Sequence, residues 1–573
     1  MGNRLGRAAC GRSEYHLDVP NPSPLRPDHG GRTWLAVAAL VGALLVTALT
    51  YPTVPKLGSV GRFDNGDGRF SIWNVTWVSH ALISDPRHVL DANIFYPHTG
   101  TLSYSELNLV AGVLGAPAYV LTHNPLAALN SALAIALWLS FMTMWTLVRR
   151  LTGSPLGGLV AATAYTFCPY LLSHTSHIQL QMAFVVPLNF LALHRLIERP
   201  TIWRGVQLGL AVGVGGLACG YYGIYGGIAM GVAALWFGAR EMRYVRGLLV
   251  AVATAAVLVG PIMVAFQRAR ADVGGGRVVT LDDLRVYSAM PVDYLISGAK
   301  AHELWQPAES TNRDPLFPGA TALVLALFTL VASARGQRLT VDSRMVAGYT
   351  VVGAFAALAS FGPQALLYTA LFKIVPAMGL LRAPSRFGLV TMFAIAVLAG
   401  VAVSTIRLRR WLALVLLVMV AAECGAQTER WGWPSWPIQE TGPIPRAYRV
   451  LATLPRGGVV EYPFPYDSRD FHNHSEAMLM GAYHLQPLVN GYSDIIPADF
   501  YDIALPINAF PDATSFAIMK KYGVRYVVWR IKTYNDDSRE RLVARFPPYS
   551  QFLKPIVQDD DVWLYEIVGY PQS

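Results

Sequence analysis

Apolar residues along this chain come in long blocks instead of alternating with polar ones. Blocks near 33–51, 126–148, 156–172, 178–197, 205–220, 221–237, 247–266, 316–333, 345–361, 386–405 and 411–426 approach the roughly 20 residues that a helix needs to cross about 30 Å of hydrocarbon. Two weaker stretches, Leu107–Leu121 and Pro363–Pro376, are proline-bounded and shorter. They predict helices lying on, or dipping into, one leaflet. From Gly458 onward the blocks give way to short runs. Val459–Tyr462 and Val524–Trp529 read as strands, Phe516–Tyr522 and Ser538–Phe546 as helices, and Ile556–Ile567 as two strand-like runs around Gln558-Asp-Asp-Asp561. The expected fold is mainly α, a polytopic transmembrane helical bundle of about eleven spans, followed by a C-terminal α/β domain. The corresponding divisions are a tail over 1–32, a bundle over 33–426 and an outer domain over 427–573.

Charge orients the blocks. With the amino terminus cytoplasmic, the inner loops hold Arg149/Arg150, Arg195/Arg199/Arg204, Arg240/Arg243/Arg246, Arg335/Arg338/Arg344 and Arg407/Arg409/Arg410. The short opposite connections Ser173–His177 and Gly220–Tyr221 carry no Lys or Arg, as the positive-inside rule requires. An odd number of spans then places three long segments outside: 52–125, 267–315 and the C-terminal domain. The first block, Trp34–Tyr51, is too long for a signal-peptide core and reads as a retained anchor.

Composition agrees. Hydrophobic residues make up 53% and charged residues 14% of the 573, against roughly 25% charged in soluble domains. The net charge of +10 is accounted for by the inner-loop arginines and implies no nucleic-acid partner. Cys10, Cys168, Cys219 and Cys424 are scattered, without the spacing of a disulfide framework or a zinc site.

With this orientation the chemically suggestive residues fall on one side. The first outer loop carries Asp64 and Asp67 in Arg62-Phe-Asp-Asn-Gly-Asp-Gly-Arg-Phe70, then Asp85, Asp91, His98 and Glu106. Trp73 and Trp77 share a helical face, which suits a helix in the headgroup layer. Asp85 and Asp91 flank Pro86 and suit helix caps. His174 and His177 are three apart, a spacing open to metal binding or to hydrogen bonds between helices, and Gln179 and Gln181 beside them favour a polar lining. Tyr221, Tyr222 and Tyr225 fit an aromatic belt. Arg382 and Arg386 breach the positive-inside pattern, and arginine at a bilayer edge suits phosphate or lipid headgroups. In the outer domain His472, His474, His484 and Asp494 are candidates to line an acceptor groove, and the acidic turn is open to calcium or to plain solvation.

Carboxylates and arginines on one outer face suit glycosyl transfer from a lipid phosphate: a carboxylate deprotonates an acceptor hydroxyl while cations stabilise the departing phosphate. The topology predicts that the first-loop carboxylates meet Arg382 and Arg386 in one cavity.

The strings Asp64-Asn-Gly-Asp67, Asn93-Ile-Phe-Tyr-Pro-His98, Tyr104-Ser-Glu106, Pro169-Tyr170 with His174 and His177, and Leu381-Arg-Ala-Pro-Ser-Arg-Phe387 resemble bacterial GT-C glycosyltransferases. The likeness extends to Val459-Val-Glu-Tyr-Pro463 and Leu488-Val-Asn-Gly-Tyr-Ser493. The resemblance implies a bacterial inner-membrane enzyme with a polyprenyl-phosphate sugar donor, surrounding membrane lipids and an extracytoplasmic acceptor. It also implies an acidic first-loop residue acting as base or metal ligand. Asp67 and Glu106 match that loop, with Asp64 as rival. The spacing is Asp-x-x-Asp, not a strict Asp-x-Asp, which leaves open a divalent cation (Mg or Mn) held by Asp64 and Asp67. Arg382 and Arg386 are the candidate phosphate-binding pair, and His174, His177, His98 and Tyr221 the candidate polar lining. Two other functions compete: a transporter or flippase for a lipid-linked glycan, whose ionisable groups belong near the membrane midplane, and an inactive assembly-factor relative.

Overall fold

The computed structural model describes residues 31–238, 241–273, 279–305, 314–406, 410–425 and 438–571. The tail over 1–30 with Cys10, the inner-loop residues Arg240, Arg407 and Arg409, and segment 427–437 lie outside the described residues.

Each apolar block is helical: Gly31–Leu49, Pro125–Thr152, Pro155–Thr166 with Pro169–Ser173, Ile178–Gln181 with Val185–Glu198, Ile202–Ala218, Gly220–Phe237, Met242–Asp272, Ala320–Ala334, Ser343–Ser360, Gly388–Thr405 and Arg410–Gly425. Six of the described helices are long and apolar enough to cross a membrane by length and composition. Local chemistry sets their ends. The Asn124 side chain accepts from the amides of Leu126 and Ala127, Pro125 opens the helix, and left-handed Gly153 closes it before Ser154-Pro155 starts the next. Pro169 and the irregular backbone at 174–177 break the apolar run over 155–198 into four short helices. That break delivers His174 and His177 to one end of the bundle. The weaker stretches are also helical, at Leu109–Thr122 and Leu366–Ile374.

The C-terminal domain, labelled the outer domain after the charge-based expectation, is built on β1 (Gly458–Tyr462), β2 (Val524–Trp529), β3 (Leu553–Gln558) and β4 (Trp563–Ile567) in the order β1-β2-β4-β3, with β1 parallel to β2 and the other pairs antiparallel. The β1–β2 crossover carries helices Ser475–His484, Ala498–Asn508 and Ala513–Tyr522, as a parallel pair requires.

The first outer loop packs into this domain. Trp73 and Trp77, on helix Gly66–Ser84, are buried in a core shared with Val459, Met478, Phe500 and Trp529. Their indole N–H groups donate to Asn93 Oδ1 at 2.8 Å and to the Val89 carbonyl at 2.9 Å. The headgroup-layer expectation for these tryptophans is therefore corrected: rings of this size contribute more when buried against protein, with their polar edges satisfied. Asn93 also donates to the carbonyls of Gly481 and Gln486 at 3.1 and 3.2 Å, and the Tyr96 amide donates to the Leu488 carbonyl at 2.9 Å. Helix Gly66–Ser84 is thus held by the outer domain on one side and the bundle on the other.

Asp85 and Asp91 do not cap with their side chains. Asp85 contacts His88 Nδ1 at 2.8 Å and Asp91 accepts from the Gly100 amide at 2.7 Å. The acidic turn is a solvated hairpin turn whose Asp561 pairs with Lys532 at 3.0 Å.

Candidate active site

Where the first outer loop, the broken 155–198 segment, the 381–387 loop and the outer domain meet, an open cavity of about 590 Å³, including its solvent-open part, is lined by Asp67, Glu106, His177, Tyr221, Arg382, Arg386 and Asp494. The Asp67 and Glu106 carboxylates and both arginines, some 300 residues apart in sequence, share this space as the topology predicts. Ser105, Gln179, Tyr492 and Ser493 complete its polar wall.

Asp67 lies in the first turn of helix Gly66–Ser84, whose N-cap is the Asn65 side chain on the Gly68 amide. Gly68 is demanded by crowding, since a Cβ there would stand 2.4 Å from the Arg62 carbonyl oxygen. His177 Nε2 stands 3.3 Å from Asp67 Oδ2, and Ser176 Oγ stands 3.2 Å from His177 Nδ1. Burial, reinforced by Arg386, holds the His177 proton affinity well below the usual histidine value. The ring is therefore held toward its neutral form, accepting from Ser176 Oγ and standing beside the Asp67 carboxylate. Burial raises Asp67 itself, with Arg382 pulling the other way.

Glu106 lies deeper. It sits at the amino terminus of helix Gly220–Phe237 and accepts from the Gly220 amide at 3.3 Å, a favourable place for a carboxylate. Gly220 makes that approach possible, because a Cβ there would meet Glu106 Oε1 at 3.1 Å. Burial pushes Glu106 up to about 7, against the Gly220 hydrogen bond and the charge of Arg386, so it exchanges a proton near neutrality.

Arg386 stacks on Tyr221, its Cζ 3.9 Å from the ring centroid. Among the described residues it has no ion-pair partner. Arg382 is half-exposed, 3.5 Å from Asp494 of the outer domain. The loop bearing both arginines is pinned from behind by Asp314, which accepts from the Ser385 hydroxyl and lies 3.0 Å from His174 Nε2. His174 Nδ1 faces the Tyr170 carbonyl at 2.7 Å, so the ring is held at both nitrogens. Burial raises Asp314, but His174 and the Ser385 hydroxyl outweigh it and hold the carboxyl well below the usual range.

Several candidate residues stand elsewhere. Asp64 is bound by Arg62 through two contacts, of 2.8 and 3.0 Å, and does not line the cavity. His98 pairs with Asp499 at 2.9 Å, tying the first loop to the outer domain. His174 is a support behind the wall, not part of the lining. Gln181 is buried, donating to the Leu171 and His174 carbonyls at 2.9 Å. Tyr221, Tyr222 and Tyr225 are buried, which corrects the aromatic-belt reading. Of the acceptor-groove candidates only Asp494 reaches the cavity. His474 and His484 are buried within the outer domain, each pushed down to about 3 by that burial, and exposed His472 faces the Arg469 carbonyl at 3.0 Å. Asp314 escaped the sequence reading, because nothing local marks a carboxylate whose partners lie 71 and 140 residues away.

Among the described residues no three His, Cys, Asp or Glu side chains come together. Asp64 is engaged by Arg62, and of the two carboxylates only Asp67 lines the cavity. The positive charge in the cavity comes from the two arginines.

No family model matches the chain, and no curated protein matches it. Solved structures do. The arabinofuranosyltransferase AftD from mycobacteria matches with a TM-score of 0.57 at 16% identity over 94% of this chain and 40% of that one. ArnT from Cupriavidus metallidurans, bound to undecaprenyl phosphate, matches with a TM-score of 0.46 at 13% identity over 95% and 99%. This chain therefore spans about two fifths of the length of AftD. The AftD likeness shows the fold: a bundle of long apolar helices followed by a sheet-containing C-terminal region.

Proposed function

We propose that the cavity is the active site of a membrane-embedded glycosyltransferase, which moves a sugar from a polyprenyl-phosphate donor to a hydroxyl acceptor outside a bacterial inner membrane. The observation that carries this reading is Arg386, a guanidinium without an ion-pair partner among the described residues, facing the same cavity as Asp67 and Glu106. A guanidinium held in a protein wall without a counter-anion is ready to receive one, and its fork matches phosphate. The name of AftD, an arabinofuranosyltransferase, describes chemistry of this same class.

In this reading Arg386 and Arg382 grip the donor phosphate. The acceptor hydroxyl enters beside Asp67, half of whose side chain is exposed. As its oxygen attacks the anomeric carbon, Asp67 takes the proton, with His177 orienting the carboxylate. The bond from the anomeric carbon to the phosphate oxygen breaks, its electron pair stays on the phosphate, and the arginines stabilise that charge. Attack opposite the leaving group inverts the anomeric centre. Glu106 is the second proton-accepting group. The orientation with an extracytoplasmic outer domain follows from the arginine distribution. Against transport stands the position of the charged cluster, at the end of the bundle and against the outer domain instead of midway along broken helices.

The test is to supply membranes containing this protein with labelled polyprenyl-phosphate sugars and follow transfer, comparing wild type with Asp67→Asn. Transfer by wild type that the variant loses supports the assignment. Absence of transfer from a broad donor panel overturns it in favour of transport or assembly.

A further inference from the structure

The least settled contact in the cavity is the pair between Arg382 and Asp494. Its partners come from different parts of the molecule, the 381–387 loop and the outer domain, and stand 3.5 Å apart with about half of each side chain exposed. Asp494 is held from the other side, its Oδ2 accepting from the Ser105 hydroxyl at 2.7 Å, and Ser105 adjoins Glu106. A carboxylate is thereby fixed at the guanidinium that the proposed donor phosphate must reach.

We propose that Asp494 is a release latch, an internal anion that competes with phosphate for Arg382 and expels the spent lipid phosphate after transfer. The inference rests on the lipid-phosphate reading of the cavity. Its logic is charge. The donor is a phosphodiester with one negative charge. Transfer breaks the bond from the anomeric carbon to oxygen and leaves a phosphomonoester, which carries about −1.5 to −2 at neutral pH. A fixed carboxylate beside Arg382 penalises the product more than the donor. It also supplies Arg382 with a replacement partner, so that the guanidinium is not left bare when the product departs. A charge placed to repel one of two ligands selects between them by weakening the wrong one. Arg386, which has no such competitor, keeps its hold on either lipid.

The experiment uses the full chain in lipid nanodiscs, with undecaprenyl phosphate as the probe and binding and dissociation measured directly. Asp494→Asn keeps the side-chain shape and the contact with Ser105 but removes the charge. It is expected to bind the probe about 3- to 10-fold tighter, mainly through slower dissociation. Asp494→Ser, which removes the same charge with a different side chain, shows the same shift if the carboxylate is responsible. In an Arg382→Gln background the effect of Asp494→Asn shrinks, because the contested cation is gone. Equal affinity of wild type and both Asp494 variants overturns the latch while leaving the donor reading intact, and so does an undiminished effect in the Arg382→Gln background. Failure of wild type to bind the probe overturns both.

Discussion

Two clusters of carboxylates and arginines face each other across helix Gly66–Ser84, and they are built to opposite ends. In the outer domain Glu461 is fully buried, 2.9 Å from Arg530 and 2.9 Å from the Tyr448 hydroxyl. Arg530 also pairs with Glu476, which reaches Arg69 on the helix at 3.3 Å. In the cavity, two residues away along the same helix, Asp67 is half-exposed, Arg386 has no ion-pair partner among the described residues, and Arg382 is loosely paired. Burial pushes Glu461 and Glu106 alike up to about 7. A raised proton affinity therefore does not distinguish a reactive carboxylate from a structural one. Access does, and so does an unused charge nearby: only the second cluster opens onto space that a substrate can fill.

The comparison is tested most severely at Asp67. Replacing it with asparagine should lower transfer by about 10²–10⁴-fold, the usual cost of losing a general base, while thermal stability stays near wild type. Glu461→Gln should leave transfer within a few-fold, since its carboxylate touches no part of the cavity. Transfer retained by Asp67→Asn and Glu106→Gln alike would remove the base from this loop.

A crossed pair of arginine variants sharpens the contrast. Arg530→Ala strands the fully buried Glu461, while Glu476 keeps Arg69, and breaking a buried pair costs about 3–5 kcal/mol, to be read as a clear fall in the melting temperature. Arg386→Ala strands nothing. It should melt at or above the wild-type temperature yet bind undecaprenyl phosphate poorly and transfer slowly. Similar melting losses in both variants would show that the two clusters do not differ as described.

Proton affinity gives a third, smaller signal. If Glu106 must be ionised for turnover, kcat/KM falls as pH drops through about 7, the value to which burial raises it. Glu106→Gln should flatten that limb and lower the plateau. A limb that survives the substitution belongs to another group, Asp67 first.

Much of this arrangement was legible in the chain. Eleven apolar blocks became helices, and the outer strands fell close to where branched and aromatic runs placed them, because both signals are local. Asp67, Glu106, Arg382, Arg386 and His177 stood out as residues too polar for their membrane-edge positions, and Tyr221 as a candidate for the polar lining. Asp64, His98 and His174 were indistinguishable from them by that criterion. What separates them is a partner: Arg62 two residues away, Asp499 across 401 residues and Asp314 across 140. Side-chain pairing over such distances is decided by tertiary packing, which also turned Trp73 and Trp77 from an expected membrane anchor into part of the outer domain's core.

Asp314 provides the finest test, because it belongs to neither cluster and supports one of them. Its carboxylate clamps the Ser385 hydroxyl on the arginine loop and the His174 ring on the broken helix, fixing the distance between the two walls that carry Arg386 and His177. Asp314→Asn retains an acceptor for Ser385 but replaces the charged partner of the His174 ring with a neutral amide. The loop should then loosen without unfolding, since its neighbours Leu381 and Phe387 remain buried. A displacement of this kind weakens orientation more than binding, so the expected result is a fall in kcat of about 3- to 10-fold with little change in donor KM. Asp314→Ala, which gives up both contacts, should lose more. A purely structural Asp314 would instead lower the melting temperature and leave the kcat of the folded fraction unchanged. That outcome would confine the working site to the residues that line the cavity.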